Sequence, residues 1–346
     1  MEDGKMKKDN WIKKFFAQRE MGVLAILIIA VIIVQMIQPK FLNTANLRSI
    51  AISVATDGLL SIGLCLALIL GGIELSVGGV AAMTCVITGF LCLNGTNIWI
   101  AALAALAAGI FVGLFNGFMI SKVGLPPFIV TLGMMNLSRG VAYILTEGSP
   151  LSLSGYLPDS FRFLATGKIG GIPMIFIIFV IIAAIAGFLT KRSKVCRDIF
   201  YVGSNEKAAQ LSAINVDKVK ISVYVVIAML STLAGILSLG RFNMATPELS
   251  VGAETTAISA AVIGGTSMSG GVGSIFGTFL GIVLLKVVNS ALVMLNVSVY
   301  WQDFVQGLIL VVAVTIDYMS HRKKGGISVL ERYLGIMKKD GAGKAA

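Results

Sequence analysis

The feature that most constrains this chain is a series of apolar runs separated by short polar stretches. They lie at 22–37, 52–71, 76–93, 98–121, 127–146, 172–189, 221–240, 253–265, 273–295 and 302–317. A helix needs about 20 apolar residues to cross the hydrocarbon of a bilayer, and somewhat fewer inside a bundle. No water is available there for an unpaired backbone group, so a spanning segment must satisfy its own hydrogen bonds. The runs therefore predict an all-α integral membrane protein of about ten transmembrane helices. Charged residues make up only 13% of the chain against 56% hydrophobic, half the charge of a soluble domain, which excludes an ordinary soluble fold. Two runs are irregular. The run 253–265 is short, and the region 71–79 is interrupted by glycines; both read as broken or re-entrant helices. The run 22–37 has no small-x-small cleavage site behind it and reads as a retained first span.

Ten spans put both termini on one side, and charge says which. With the N-terminus inside, the inner segments hold Lys5–Arg19, Lys122, seven basic residues between Lys191 and Lys220, and seven more after Tyr318. The outer segments hold only Lys40, Arg48, Arg162, Lys168 and Arg241. By the positive-inside rule both termini and the long basic loop face the cytoplasm. Three units result: a basic amphipathic arm at 1–21 lying against membrane lipid, with Trp11, Phe15 and Phe16, a transmembrane domain at 22–317, and a basic tail at 318–346. The net charge of +11 clusters beside spans, so no nucleic-acid partner is expected.

Catalytic chemistry finds little to use. Cys65, Cys85, Cys92 and Cys196 form no CxxC pair and have no His nearby, so no metal or redox site is expected. The first three read as small packing residues. An intramembrane protease needs a catalytic His or facing aspartates in the bilayer, but His321 is the only histidine and follows the last run. The stretch 264–271 is glycine-rich but lacks the Lys-Ser/Thr of a P-loop. It reads as a break between spans, and any energy from ATP has to come from another polypeptide.

The loop at 190–220 is too structured for a slack linker. Ser204 or Asn205 can cap a helix, Glu206 suits its positive end, and Ala208, Ala209 and Leu211 form a short apolar stripe. One small helix is expected there, either lying on its own membrane domain or offering Ala and Leu to a partner.

Polar residues within spans are costly unless they meet protein or a water-filled path. The candidates for such a path are Glu74, Ser76, Asn116, Asn136, Glu248, Ser250, Thr266 and Ser267. For the uncharged ones the competing reading is hydrogen bonding between helices. For Arg139 and Lys286 it is an ion pair with a glutamate. The pentapeptide Glu-Leu-Ser-Val-Gly occurs at 74–78 and again at 248–252, on either side of the basic loop. This suggests an internal inverted repeat with its copies on opposite sides of the membrane.

Several blocks carry a resemblance. The pattern from Gly203-Ser204-Asn205-Glu206 through Leu211-Ser212-Ala213 resembles the coupling loop of membrane subunits in ribose-type bacterial ABC sugar importers. Gly71-Gly72-Ile73-Glu74-Leu75-Ser76-Val77-Gly78, Pro126-Pro127-Phe128-Ile129-Val130-Thr131-Leu132-Gly133 and Val262-Ile263-Gly264-Gly265-Thr266 resemble further blocks of that family, in its order. The resemblance implies a non-enzymatic permease of the bacterial cytoplasmic membrane that passes a monosaccharide or small polyol. Its implied partners are an ATPase, which binds ATP and Mg, a second permease, identical or different, and a periplasmic or lipid-anchored sugar-binding protein. It assigns ATPase coupling to Asn205, Glu206, Ala208, Ala209, Leu211, Ser212 and Ala213. Ala213 and Cys196 depart from the family pattern, Ala213 standing where the family usually has Gly. As a C-terminal cap Ala213 has to adopt a left-handed conformation, which strains any residue with a Cβ. On physics alone an ion-coupled secondary transporter is the alternative, since it shares inverted repeats and broken helices.

Overall fold

The computed structural model describes residues 19–322. Most of the arm, with Trp11, Phe15 and Phe16, and the tail beyond 322 lie outside the described residues. The chain runs α1 (Arg19–Ile37), α2 (Thr44–Ile69), α3 (Val77–Leu93), α4 (Ile98–Ser121), α5 (Pro127–Thr146), β1 (Leu151–Ser152), α6 (Asp159–Thr166), β2 (Lys168–Ile169), β3 (Ile172–Pro173) and α7 (Met174–Arg192). It continues through α8 (Lys194–Ser204), α9 (Glu206–Leu211), α10 (Val216–Phe242), β4 (Met244–Ala245), α11 (Ala253–Ile263), α12 (Ile275–Met294) and α13 (Val299–Arg322).

Among the described residues eight helices, α1, α2, α4, α5, α7, α10, α12 and α13, are long and apolar enough to span a membrane, and α3 and α11 are shorter apolar helices. All ten runs are therefore helical, and the irregular ones are the short helices. At 1.5 Å per residue α11 covers only ~16 Å and α3 ~25 Å, against ~30 Å of hydrocarbon. Irregular backbone at 72–75 leads into α3, and the turns at 247–252 lead into α11.

Helix α2 is the axis of the molecule. It is enclosed by its neighbours: 83% of its spanning window is buried, against 6% for the more apolar α1 and 11% for α7. Helices α7, α10, α11 and α12 pack around it. Helices α4 and α10 approach unusually closely. Gly109, Gly113 and Gly117 stand one turn apart on the side of α4 that faces α10, where a Cβ at Gly113 would stand 2.6 Å from Val225 Cα and one at Gly117 2.7 Å from Ile221 Cα. Small residues at four-residue spacing let two backbones meet and gain dispersion contact, the main attraction available between helices in lipid.

The two ends of the bundle differ. One carries α8 and α9. The other carries α6, the antiparallel pair β1–β4 and the β2–β3 hairpin. Helix α6 is amphipathic: Phe161 and Ala165 are buried, and Phe161 meets Trp99 edge to face at 5.6 Å between centroids. Sequence reading placed no helix there. As expected of packing residues, Cys65, Cys85 and Cys92 are buried.

Candidate functional site

The polar loop is more ordered than its sequence suggested, because two helices occupy it. Helix α8 turns Ile199 and Val202 inward. Ser204 ends that helix and does not cap the next one; its hydroxyl donates to Phe200 O. Asn205 is the cap: its backbone is extended, and its Oδ1 accepts the Ala208 N–H at 3.0 Å. Helix α9 lasts six residues and is tied back to α10 by Lys220, whose ammonium donates to both Glu206 carboxylate oxygens at 2.8 and 2.9 Å. Ala209 is turned inward at 4% exposure, which corrects its placement in an exposed stripe. Ala208, Gln210 and Leu211 do face solvent, with Leu211 at 90%.

The exit from α9 takes the strained form. Ala213 has φ +62°. Its N–H donates to Gln210 O, and the Ile214 N–H donates to Ala209 O, the paired bonds of a Schellman motif. Behind this segment lies the end of α2, where Gly203 packs on the Ile69 carbonyl and the Gly271 N–H donates to the same oxygen at 2.8 Å. Helix α8 thus rests directly on the central helix and the glycine-rich break.

The pentapeptide copies are entered from opposite ends. The first follows Gly71, beside Gly203 at the α8–α9 end; the second follows β4 at the other end. They do not stay apart, however. A Cβ on Gly78 would stand 2.5 Å from the Ser250 carbonyl oxygen, so the copies abut within the bundle, which corrects their placement on opposite sides. In the first copy the Glu74 carboxylate accepts from the Ser76 N–H at 2.6 Å and the Ser76 hydroxyl at 2.5 Å. Asn116 in turn donates to Ser76 Oγ at 3.3 Å, and all three side chains are buried. In the second copy Arg139 donates to the backbone oxygens of Pro247 and Leu249 at 2.6 and 3.4 Å, so its hydrogen-bond partners are carbonyls and not a glutamate.

The other path candidates separate. Thr266 and Ser267 are fully buried; Thr266 Oγ1 meets Cys65 Sγ at 3.3 Å and Ser267 Oγ accepts from the Ser269 N–H. Asn136 is on the exposed side of α5, its amide donating to Leu132 O. Only Glu248 and Ser250 line a large polar cavity, of about 650 Å³, between α2, α11 and α13 and the end of α10. Its floor holds an ion pair that sequence reading assigned otherwise: Lys286 pairs with Asp57 rather than with a glutamate. Thr256 and Gln306, hydrogen-bonded to each other, and Arg241, over the Phe242 ring at 4.7 Å, complete its polar wall. The sequence signal for this site was the pair of opposite charges within the second and ninth runs. Among the described residues no three His, Cys, Asp or Glu side chains converge as metal ligands.

The family model described as branched-chain amino acid transport system / permease component matches residues 46–314. The ribose import permease protein RbsC of Haemophilus influenzae is 35% identical over 315 residues, 90% of this chain and 97% of that protein. The Bacillus subtilis protein of the same name is 34% identical over 299 residues, covering 86% and 92%. The D-allose transport system permease protein AlsC of Escherichia coli is 35% identical over 298 residues, covering 86% and 90%. No solved structure matches the chain. Similarity that runs from the first pentapeptide block through the coupling segment to the last span places this chain in the permease-component family of ABC sugar importers.

Proposed function

We propose that this chain carries a monosaccharide inward across the cytoplasmic membrane and that the α8–α9 face is the cytoplasmic docking surface of a separate ATPase, which binds the ATP and Mg. The observation that carries this reading is α9 itself. It is a capped, six-residue helix held to the bundle by Ala209 and Lys220, with Leu211 projecting at 90% exposure. A large apolar side chain held out from the end of a bundle by a rigid support suits contact with a partner, and the rear of that support touches α2. ATP binding in the partner would move α9 as a lever and bias the bundle between inward- and outward-facing packings, a two-state change set by differential contacts. A second permease copy and a soluble or lipid-anchored binding protein complete the assembly. The sugars named for the relatives, ribose and allose, define the substrate class. In this reading the chain performs no covalent chemistry.

Replacing Leu211 with Arg tests the docking role. The side chain is almost wholly exposed, so stability should change by less than about 0.5 kcal/mol, while ATPase co-purification and ATP-dependent uptake fall together. Unchanged uptake removes α9 from the coupling role. The Asp57–Lys286 pair within a polar cavity favours one competing reading, an ion-coupled carrier. Uptake that follows a proton gradient and is unaffected by inhibition of ATP hydrolysis would replace the ATP-driven reading.

A further inference from the structure

We infer that the cavity between α2, α11 and α13 is a binding site for a neutral polyol of monosaccharide size, contained within one chain. The inference rests on the sugar-import reading and locates a stopping point for the solute. Polar surface at membrane depth is expensive unless it meets water or a ligand, and a volume of about 650 Å³ falls in the range of small-molecule sites.

The lining selects the class of ligand. Lys286 is neutralised by Asp57 at the floor, and Arg241 is spent on the Phe242 ring. An anion would have to break the Asp57–Lys286 pair and pass Glu248 and Asp303 at the rim. A polyol need not, because each hydroxyl both donates and accepts and can join groups already bonded to one another. Thr256 and Gln306 form such a couple on one wall, Ser250 lies on another, and Phe242 adds an apolar patch for C–H groups. Glu248, Thr255 and Asp303 line the cavity and are exposed, so solute has an entrance. A void of about 20 Å³ beyond the Thr256–Gln306 couple has room for one water.

The test uses membrane vesicles containing the full transporter, with Cys196→Ser to remove the partly exposed native thiol and Thr255→Cys to place one at the entrance. Uptake of D-ribose, D-allose and L-arabinose is measured first, and then the rate at which a thiol reagent modifies position 255. The sugar that is taken up should slow modification at least fivefold, and Gln306→Leu should raise the KM for its uptake roughly tenfold, the scale of one lost hydrogen bond. Uptake without protection, or protection by glycine or choline but not by sugar, overturns the inference and leaves the permease reading standing. An unchanged KM in the Gln306 variant also counts against it. Uptake of none of the three sugars overturns the sugar-import reading and this inference with it.

Discussion

Ala213 shows how far a single residue can be read in advance. Its sequence position after a short helix forecast a left-handed cap, and the backbone adopts one at φ +62°. The left-handed region costs an L-residue roughly 1–2 kcal/mol, and glycine loses ~0.5–1 kcal/mol more chain entropy on folding than alanine. Ala213→Gly should therefore raise stability by a net ~0.5–1 kcal/mol, read as a higher melting temperature in detergent, and a lower one would show that the exit of α9 carries no strain. Asn205 was equally legible, since capping chemistry is local. Ala209 was not. Six residues are too few for a periodic pattern to show which side faces in, and its burial is decided by α10. The Asp57–Lys286 pair was beyond reach for another reason: no local rule indicates which of several buried charges will meet across the bundle.

Among the elements, the long helices were visible because their apolar length is set by the bilayer, and the short α11 because glycines end its run early. Helices α6 and α8 were overlooked beneath their polar composition, although Phe161 with Ala165 and Ile199 with Val202 keep helical spacing on one side. The α4–α10 contact was also legible in principle, from three glycines at intervals of four. A leucine at 113 would drive a side chain into the backbone at Val225, 2.6 Å from where its Cβ would stand. Gly113→Leu should thus separate the two helices and cost ~3 kcal/mol or more, seen as loss of folded protein on size-exclusion chromatography. The same change at Gly133, whose surroundings are open, should be tolerated and serves as the control.

For the whole molecule, the apolar runs and the composition disclosed the membrane class, and the recurring pentapeptide was plain in the sequence, but not that its two copies touch. That contact depends on how far each broken segment penetrates, which is a property of the assembled bundle. Gly78 marks the meeting point. Gly78→Val would crowd the Ser250 carbonyl, 2.5 Å from the new Cβ, while leaving α8 and α9 undisturbed. Uptake should fall at least tenfold with ATPase co-purification retained; loss of both together would mean that the contact merely holds the fold.

The enclosure of α2 also has a history. Asp57 enters the bilayer early, whereas its counterion lies in α12, roughly 230 residues further along the chain. At a synthesis rate of about 5–20 residues per second the carboxyl group waits some 10–50 seconds, exposed to lipid or sheltered by the insertion machinery. The last third of the polypeptide thus completes the first, and a ribosome that stops before α12 releases a product with an orphaned acid at its heart.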